Sequence, residues 1–315
     1  MTLNKTEPEL NYVITALTTV DCILEPYFLF LAITKSAPSM RHYRTFLIAI
    51  SLCNFAFSIV FFVLSPEFIL VEHLVCLTST YLPDHIARIF LRLAYFLMMT
   101  EFQLVLFMLV YASYEISNPL RSLRLGSIKV IVGMLGFVFT PACMLLLLER
   151  RIMISANCYN FALNWAAVMF SGYMVLYFLL YVVIAAIAIN TIRRVGLRSA
   201  QSSSPNLPLV KTVMMNFIYT TAIVVIFVDL PSGCALVLPI VSTKELGTIA
   251  FQVAASTVTA YAPVVTVASI FIFVSYRRYT LKLVWRICSF VGCGTEAVSV
   301  SDTPVFSSSA ARTSI

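Results

Sequence analysis

The chain has 315 residues, of which 60% are apolar and only 11% are charged, and its mean hydropathy is +0.94. Soluble domains average about half apolar and about a quarter charged residues, so this composition indicates an integral membrane protein and excludes a soluble catalytic domain. The net charge of +7 reflects basic loops that face anionic lipid, and it does not indicate nucleic acid as a partner.

Seven segments are long and apolar enough to cross the bilayer as helices, which takes about 20 residues for ~30 Å of hydrocarbon. The sequence therefore predicts an all-α membrane protein, a seven-transmembrane helix bundle over residues 12–274. The predicted spans are Tyr12 to Thr34, Thr45 to Leu64, Leu91 to Tyr114, Ile128 to Leu148, Ala166 to Ile192, Thr212 to Leu238 and Gly247 to Val274.

The distribution of basic residues predicts the orientation of the bundle. Lys and Arg concentrate in cytoplasmic loops, and fifteen lie in the first, third and fifth loops and the tail, against six on the other side. We therefore expect residues 1–11 outside and the C-terminus inside. The first residues lack the basic start and short apolar core of a signal peptide. The sequon at Asn4 fits this orientation, because N-glycosylation is extracytoplasmic.

The first span carries two carboxylates one helical turn apart, Asp21 and Glu25, followed by Pro26. Ionisable groups at bilayer depth cost about 2.5–3.5 kcal/mol each on insertion scales. Two such close carboxylates cannot cheaply both ionise, and we expect at least one to be protonated. We interpret them as an intramembrane polar seam that holds span one against spans two and seven through groups such as Asn54. A proton-transport site and a ligand contact are the alternatives.

The third span has a mixed polar face toward its outer end. At 3.6 residues per turn, this face carries Arg88, Arg92, Tyr95, Met99 and Gln103. Glu101 lies on the opposite side from Arg92. The face is a candidate wall of a pocket open to the outside, so its last four residues and Asp229 of span six are candidate ligand contacts. The alternative is a pair of arginines that reach the headgroups above ordinary packing.

Two cysteines fall in loops on the predicted outer side, Cys76 after span two and Cys158 after span four. Because that compartment is oxidising, we predict a disulfide between them; the alternative is two thiols beyond bonding distance. The loop from Ser65 to Phe90 carries three acidic residues and two histidines, and it is a candidate extracellular lid.

The region after span seven has two predicted parts. Residues 275–288 place apolar and basic side chains on separate helical rows, which indicates an amphipathic helix along the inner leaflet. The alternative is a plain basic flank. Residues 289–315 are rich in Ser and Thr and are predicted to be a disordered cytoplasmic tail.

The sequence contains no Gly-rich phosphate loop, no HExxH motif and no Cys/His cluster with metal-ligand spacing. We therefore expect no enzyme activity, no cofactor and no metal site.

Short motifs carry a resemblance to one family of membrane receptors. They are Pro26 in span one, the segment KSAPSMRHYR (Lys35 to Arg44), Tyr111-Ala112-Ser113-Tyr114 with Pro119 beyond, and Tyr276-Arg277 after span seven. With the seven spans and basic loops, the chain resembles the nematode serpentine chemoreceptors of the Str superfamily and its class H and class D relatives. These proteins are heptahelical G-protein-coupled receptors.

The resemblance implies a multi-pass chemosensory receptor of the plasma membrane, for instance in a sensory cilium. Such a receptor binds a small external molecule and signals through a heterotrimeric G protein. Basic residues of the cytoplasmic loops then become candidate G-protein contacts: Arg121, Arg124, Arg193, Arg194, Arg198 and Lys211.

Two departures from rhodopsin-like receptors accompany the resemblance. Tyr111-Ala112-Ser113 stands where those receptors have an acidic residue followed by Arg, and Ala262-Pro263-Val264-Val265 stands in place of Asn-Pro-x-x-Tyr. Nematode chemoreceptors vary at both places, so the departures favour that group.

Two other classes of membrane protein are alternatives. A proton-coupled carrier would bind its coupling ion through Asp21, Glu25 and Glu101, but the two halves of the chain show no self-similarity of the kind common in carriers. An odorant-gated channel of the insect type has its N-terminus inside, contrary to the charge distribution.

Overall fold

The structure is a computed structural model that describes residues 8–36, 41–71, 74–79, 81–117, 128–153, 158–160, 165–199, 207–241 and 244–290. Asn4, Arg121 and Arg124 lie outside them, as does the tail beyond residue 290.

The described chain forms seven helical spans that are long and apolar enough to cross a membrane, which confirms the predicted all-α seven-transmembrane bundle. The sixth span joins α6 (Leu207–Val224), a π-helical turn (Val225–Asp229) and α7 (Leu230–Val241). The helices are α1 (Pro8–Thr34), α2 (Arg41–Leu64), α3 (Asp84–Ser117), α4 (Ile128–Ile152), α5 (Trp165–Ser199), α6 (Leu207–Val224), α7 (Leu230–Val241) and α8 (Lys244–Ile272).

The third helix begins earlier than the hydropathy of the sequence indicates. α3 starts at Asp84, seven residues before the predicted Leu91. The Pro83 carbonyl accepts hydrogen bonds from the amides of Ile86 and Ala87, both at 2.9 Å. An acidic residue in the first turn also stabilises a helix N-terminus. Polar and charged residues therefore extend a helix whose apolar part alone marks the span.

Part of the predicted lid is a β-hairpin. β1 (Pro66–Val71) and β2 (Leu74–Ser79) pair antiparallel, and β3 (Cys158–Asn160) adds to the other edge of β2. Both strands of the hairpin are apolar runs with β-branched residues, which favour extended structure. The sheet lies at the end of the bundle where α2 and α4 finish and where α3 and α5 begin.

The core of the bundle is built around α3. This helix packs against α2, α4, α5 and α6, and its central side chains, such as Met99, Val105 and Met108, are fully buried. Large apolar side chains on the outer helices face away from the core, among them Ile23, Leu179 and Ile226. A membrane-spanning bundle requires this arrangement, because hydrocarbon solvates its outer surface.

At the opposite end of the bundle from the sheet, α1 contacts the segment that follows α8. The hydroxyls of Ser36 and Tyr276 are hydrogen-bonded at 2.6 Å, and the Tyr276 ring meets Phe28 edge-on at 5.9 Å. Burial raises the pKa of the Tyr276 phenol, while the Ser36 hydrogen bond and the charge of Arg44 act in the other direction. Tyr276 therefore stays neutral and joins two segments far apart in sequence.

Residues up to Arg277 form one compact unit, and the segment from Arg278 belongs to a second. α9 (Val274–Phe290) includes the predicted amphipathic segment 275–288. Its location at the inner leaflet stays a prediction.

Candidate functional site

A cavity of about 170 Å³ lies inside the bundle, below the β-sheet. Described residues of α2, α3, α4, α5, α7 and α8 line it, so six of the seven spans contribute. Most of the wall is apolar, including Phe61, Leu91, Met98, Leu145, Met174 and Phe251. Concave, mainly apolar cavities with few polar groups are typical of small-molecule sites.

One charged group of the cavity wall is neutralised within the protein. Glu149 near the end of α4 is buried, with 2% of its side chain exposed. Its Oε2 accepts a hydrogen bond from Nε of Arg92 at 3.1 Å, and its Oε1 accepts one from the Tyr159 hydroxyl at 2.9 Å. Both carboxylate oxygens are thus occupied by residues of α3 and β3.

The Tyr159 hydroxyl acts as a donor in this arrangement. Burial, together with the neighbouring Tyr95 and the Glu149 carboxylate, raises the pKa of Tyr159, and the charge of Arg92 opposes the effect only in part. The phenol keeps its proton over the physiological pH range. It therefore holds the Glu149 carboxylate in the cavity wall.

The sheet forms a roof whose position is set by a disulfide. Cys76 and Cys158 are bonded at an S–S distance of 2.03 Å, and they are register partners of β2 and β3. The adjacent register pair, Val75 and Tyr159, lines the cavity. The disulfide consequently fixes two cavity residues, one from each connecting segment.

The residues of the predicted ligand face on α3 lie in different surroundings. Tyr95 lines the cavity, whereas Arg92 is paired with Glu149 and Met99 is fully buried. Gln103 donates a hydrogen bond from Nε2 to the Tyr177 hydroxyl at 3.0 Å. One helix face is too long to border a single cavity, because its residues span about three turns and meet different neighbouring helices in turn.

Asp229 lies in the π-helical turn of span six. It is 5% exposed, and neither carboxylate oxygen has a hydrogen-bond partner among the described residues. The Leu230 amide bonds to the Val225 carbonyl, five residues back, just before Pro231, which has no amide hydrogen. π-helical turns occur frequently at functional sites. Asp229 does not line the cavity below the sheet, so its role as a ligand contact stays a prediction.

Sequence analysis did not single out Glu149 and Tyr159. Glu149 precedes Arg150 and Arg151, so it looks like part of a charged interfacial flank. Tyr159 follows Cys158 in the sequence. The predicted disulfide at Cys158 could therefore have indicated that the Tyr159 side chain is held over the bundle. The pairing of both residues with Arg92 depends on tertiary structure alone.

The two carboxylates of span one bind neighbouring helices. Glu25 accepts hydrogen bonds from the hydroxyls of Ser51 in α2 and Thr266 in α8, the second at 2.5 Å. Asp21 accepts one from Ser58 in α2. Both carboxylates are almost completely buried, with Glu25 0% and Asp21 1% exposed. The contacts join span one to spans two and seven.

Two further polar residues extend this cluster toward α3. Asn54 is close to both Glu25 and Glu101, and Asn54 Oδ1, Glu101 Oε1 and Asp21 Oδ1 lack hydrogen-bond partners among the described residues. A cavity of about 20 Å³ beside Glu25 and Asn54 has room for one water molecule. Within the described chain, no group of three or more His, Cys, Asp or Glu side chains has the arrangement of a metal site.

The predicted G-protein contacts are only partly described. Arg193 and Arg194 of α5 are exposed, at the end of the bundle away from the sheet. Arg198 belongs to α5 and Lys211 to α6, and nothing is described of their side chains.

The bundle and its roofed cavity define a seven-helix membrane fold. Among solved structures, the crystal structure of squid rhodopsin is similar, with a TM-score of 0.63 and 10% sequence identity over 91% of this chain and 87% of that chain. At this identity the similarity concerns the fold. No family model matches the sequence, and no curated protein matches it. The nematode chemoreceptor family therefore stays a prediction.

Proposed function

We propose that the protein is a chemosensory receptor that binds a small external molecule and signals through a heterotrimeric G protein. The observation that carries the proposal is the apolar cavity inside a rhodopsin-type bundle, roofed by a disulfide-bonded sheet. Six of the seven spans contribute to its wall. A ligand in contact with so many helices has different affinities for different helix arrangements, and this difference shifts the population of signalling states.

The proposed orientation puts the sheet and cavity outside the cell and Arg193 and Arg194 inside, in the plasma membrane. It rests on the distribution of basic residues and on the disulfide, which is stable in an oxidising compartment. The exposed arginines of α5 then offer positive charge to acidic groups of a G protein. Tyr111 stands where rhodopsin-like receptors have the acidic-Arg pair, and it is buried among aromatic rings, 6.3 Å from Tyr43 and 6.5 Å from Phe107.

The proposal is tested by expression in cells that contain a promiscuous G protein. The cells are exposed to a panel of small odorants while cytosolic calcium and membrane current are recorded together. We expect at least one odorant of the panel to raise cytosolic calcium without producing a membrane current through the protein itself.

Substituting Ala254→Leu fills part of the cavity and should weaken ligand binding. Each ~1.4 kcal/mol of lost binding free energy is a factor of ten in affinity, so we expect the half-maximal ligand concentration to rise at least about tenfold.

Ala250→Leu is the matched control, because Ala250 lies one turn away on α8 and does not line the cavity. It should respond like the wild type at equal surface level. A current or an uptake that persists when the G protein is blocked would contradict the receptor and favour a carrier or channel.

A further inference from the structure

A second cavity opens sideways between α3, α4 and α5. It measures about 410 Å³ and is separate from the cavity below the sheet. Its rim includes Phe137 and Leu180, which are 37% and 51% exposed on the outer surface of the bundle. We name this feature the lateral cleft. In a membrane its opening faces hydrocarbon, so any occupant enters from the bilayer.

The lateral cleft lies near the middle of the membrane. Thr140 on its α4 side is ten residues from Val130 and twelve from Ile152, the two ends of the fourth span. At 1.5 Å per residue Thr140 is about 15 Å from one end of the span and about 18 Å from the other. A charged lipid headgroup stays at the interface, so this depth favours a neutral molecule dissolved in the hydrocarbon.

Polar groups on the α4 side make the cleft different from an ordinary lipid-facing surface. Pro141 lies inside α4 and has no amide hydrogen, so it donates no hydrogen bond to the carbonyl of Phe137, one turn earlier. Thr140 is exposed beside it. Thr18 and Thr259 bond back to their own helix, but no such bond of Thr140 is found in the described chain. Unpaired polar groups in hydrocarbon are costly, and they occur mainly where a cavity or partner satisfies them.

The floor of the cleft is polar, and hydrogen bonds hold its side chains in place. Gln103 and Tyr177 are hydrogen-bonded to each other, and the Tyr173 hydroxyl donates to the Pro141 carbonyl at 3.0 Å. These contacts connect α5 with α3 and with α4. The floor is therefore fixed before a ligand arrives, which lowers the cost of binding.

We propose that the lateral cleft binds a neutral, lipid-soluble alcohol. The apolar rim holds the hydrocarbon part, the hydroxyl of the ligand donates a hydrogen bond to the Phe137 carbonyl, and its oxygen accepts one from the Thr140 hydroxyl. The volume lies in the range of ligand-binding pockets, roughly 300–1,000 Å³. This site is independent of the cavity below the sheet and of G-protein coupling.

The experiment uses the full chain in lipid nanodiscs with two photoreactive probes, the diazirine analogues of dodecanol and of dodecane. Labelled peptides are identified by mass spectrometry, with unlabelled dodecanol as competitor. We expect the alcohol to label cleft peptides of α4 and α5 at least about tenfold more strongly than the alkane. The alcohol forms two hydrogen bonds that the alkane lacks, and each contributes about 1 kcal/mol.

Three variants locate the site. Gly136 lines the cleft, and a Cβ built on it meets nothing within 4 Å, so Gly136→Leu fits the fold and fills the cleft; labelling by the alcohol should fall at least about tenfold. Gly133→Leu is the matched control, because Gly133 is equally open but does not line the cleft, and labelling should not change. Thr140→Val removes one hydrogen bond at nearly constant volume and should lower labelling about fivefold.

Equal labelling by the alcohol and the alkane would overturn the proposal, because it would show only an apolar surface. So would wild-type labelling of Gly136→Leu, or labelling that dodecanol does not displace. Thermal unfolding of each variant in the same nanodiscs checks that the bundle is intact, and the Thr140→Val result stands without the larger substitution.

Discussion

Substituting Glu25→Ala is expected to lower the free energy of unfolding by about 3 kcal/mol. The side chain is fully buried, and its two oxygens accept hydrogen bonds from Ser51 and Thr266 on two different helices. The substitution removes both hydrogen bonds, at about 1 kcal/mol each, and leaves a cavity that costs further stability. Unfolding by SDS in mixed micelles measures the change, and the surface level in cells should fall with it.

Glu25→Gln is the matched variant, since it keeps the volume and one acceptor oxygen. We expect a loss of about 1 kcal/mol, because the amide NH₂ cannot accept the second hydroxyl. Asp21→Asn should cost no more, since Asp21 accepts a single hydrogen bond among the described residues, from the Ser58 hydroxyl. If Glu25→Ala has the same free energy of unfolding as the wild type but abolishes a pH-dependent flux, the interpretation as a polar seam is wrong. The carrier interpretation is then favoured.

Substituting Cys76→Ser is expected to destabilise the roof of the cavity and to reduce the ligand response strongly. The bond closes a segment whose ends are 82 residues apart. Loop-closure entropy alone gives about 4.5 kcal/mol for this length. The spans of the bundle already restrict the chain, so we expect about 2–3 kcal/mol in the folded membrane protein. Surface level and half-maximal ligand concentration are the quantities to measure.

Cys143→Ser is the control for this prediction, because Cys143 is a free, exposed cysteine of α4. It should leave both quantities unchanged. A membrane-impermeant reductant applied to intact cells should reproduce the Cys76→Ser effect if the sheet is extracellular. A wild-type response after both the substitution and the reductant would show that the disulfide does not hold the cavity.

The sequence predicted the features that depend on composition and on local pattern. Seven apolar segments were enough for the bundle, because hydrocarbon imposes a minimum span length on every helix. The carboxylates of span one were predicted to join it to spans two and seven, and the structure has Glu25 bonded to Ser51 and Thr266. The hydroxyl partners themselves were not predicted, since serine and threonine are common in apolar spans.

The candidate site was less predictable. The face of α3 was identified by helical period, but only Tyr95 of the predicted ligand residues lines the cavity. Helical period gives the direction of a side chain and not the neighbour that it meets. Arg92, another predicted ligand contact, is paired with Glu149. The lateral cleft also depends on the packing of three helices. Pro141 inside α4 is the one sequence feature that pointed to this part of the bundle.

The most direct test of the receptor uses purified protein and a ligand from the cell assay. Nucleotide exchange on purified heterotrimeric G protein is measured with the protein in nanodiscs, and current and uptake are measured with the protein in liposomes without G protein. If the protein is a receptor, we expect that the ligand accelerates nucleotide exchange, that Ala254→Leu shifts this response to higher concentration, and that the liposomes show no flux. Ligand-driven flux in the liposomes together with unchanged nucleotide exchange would contradict the proposed receptor.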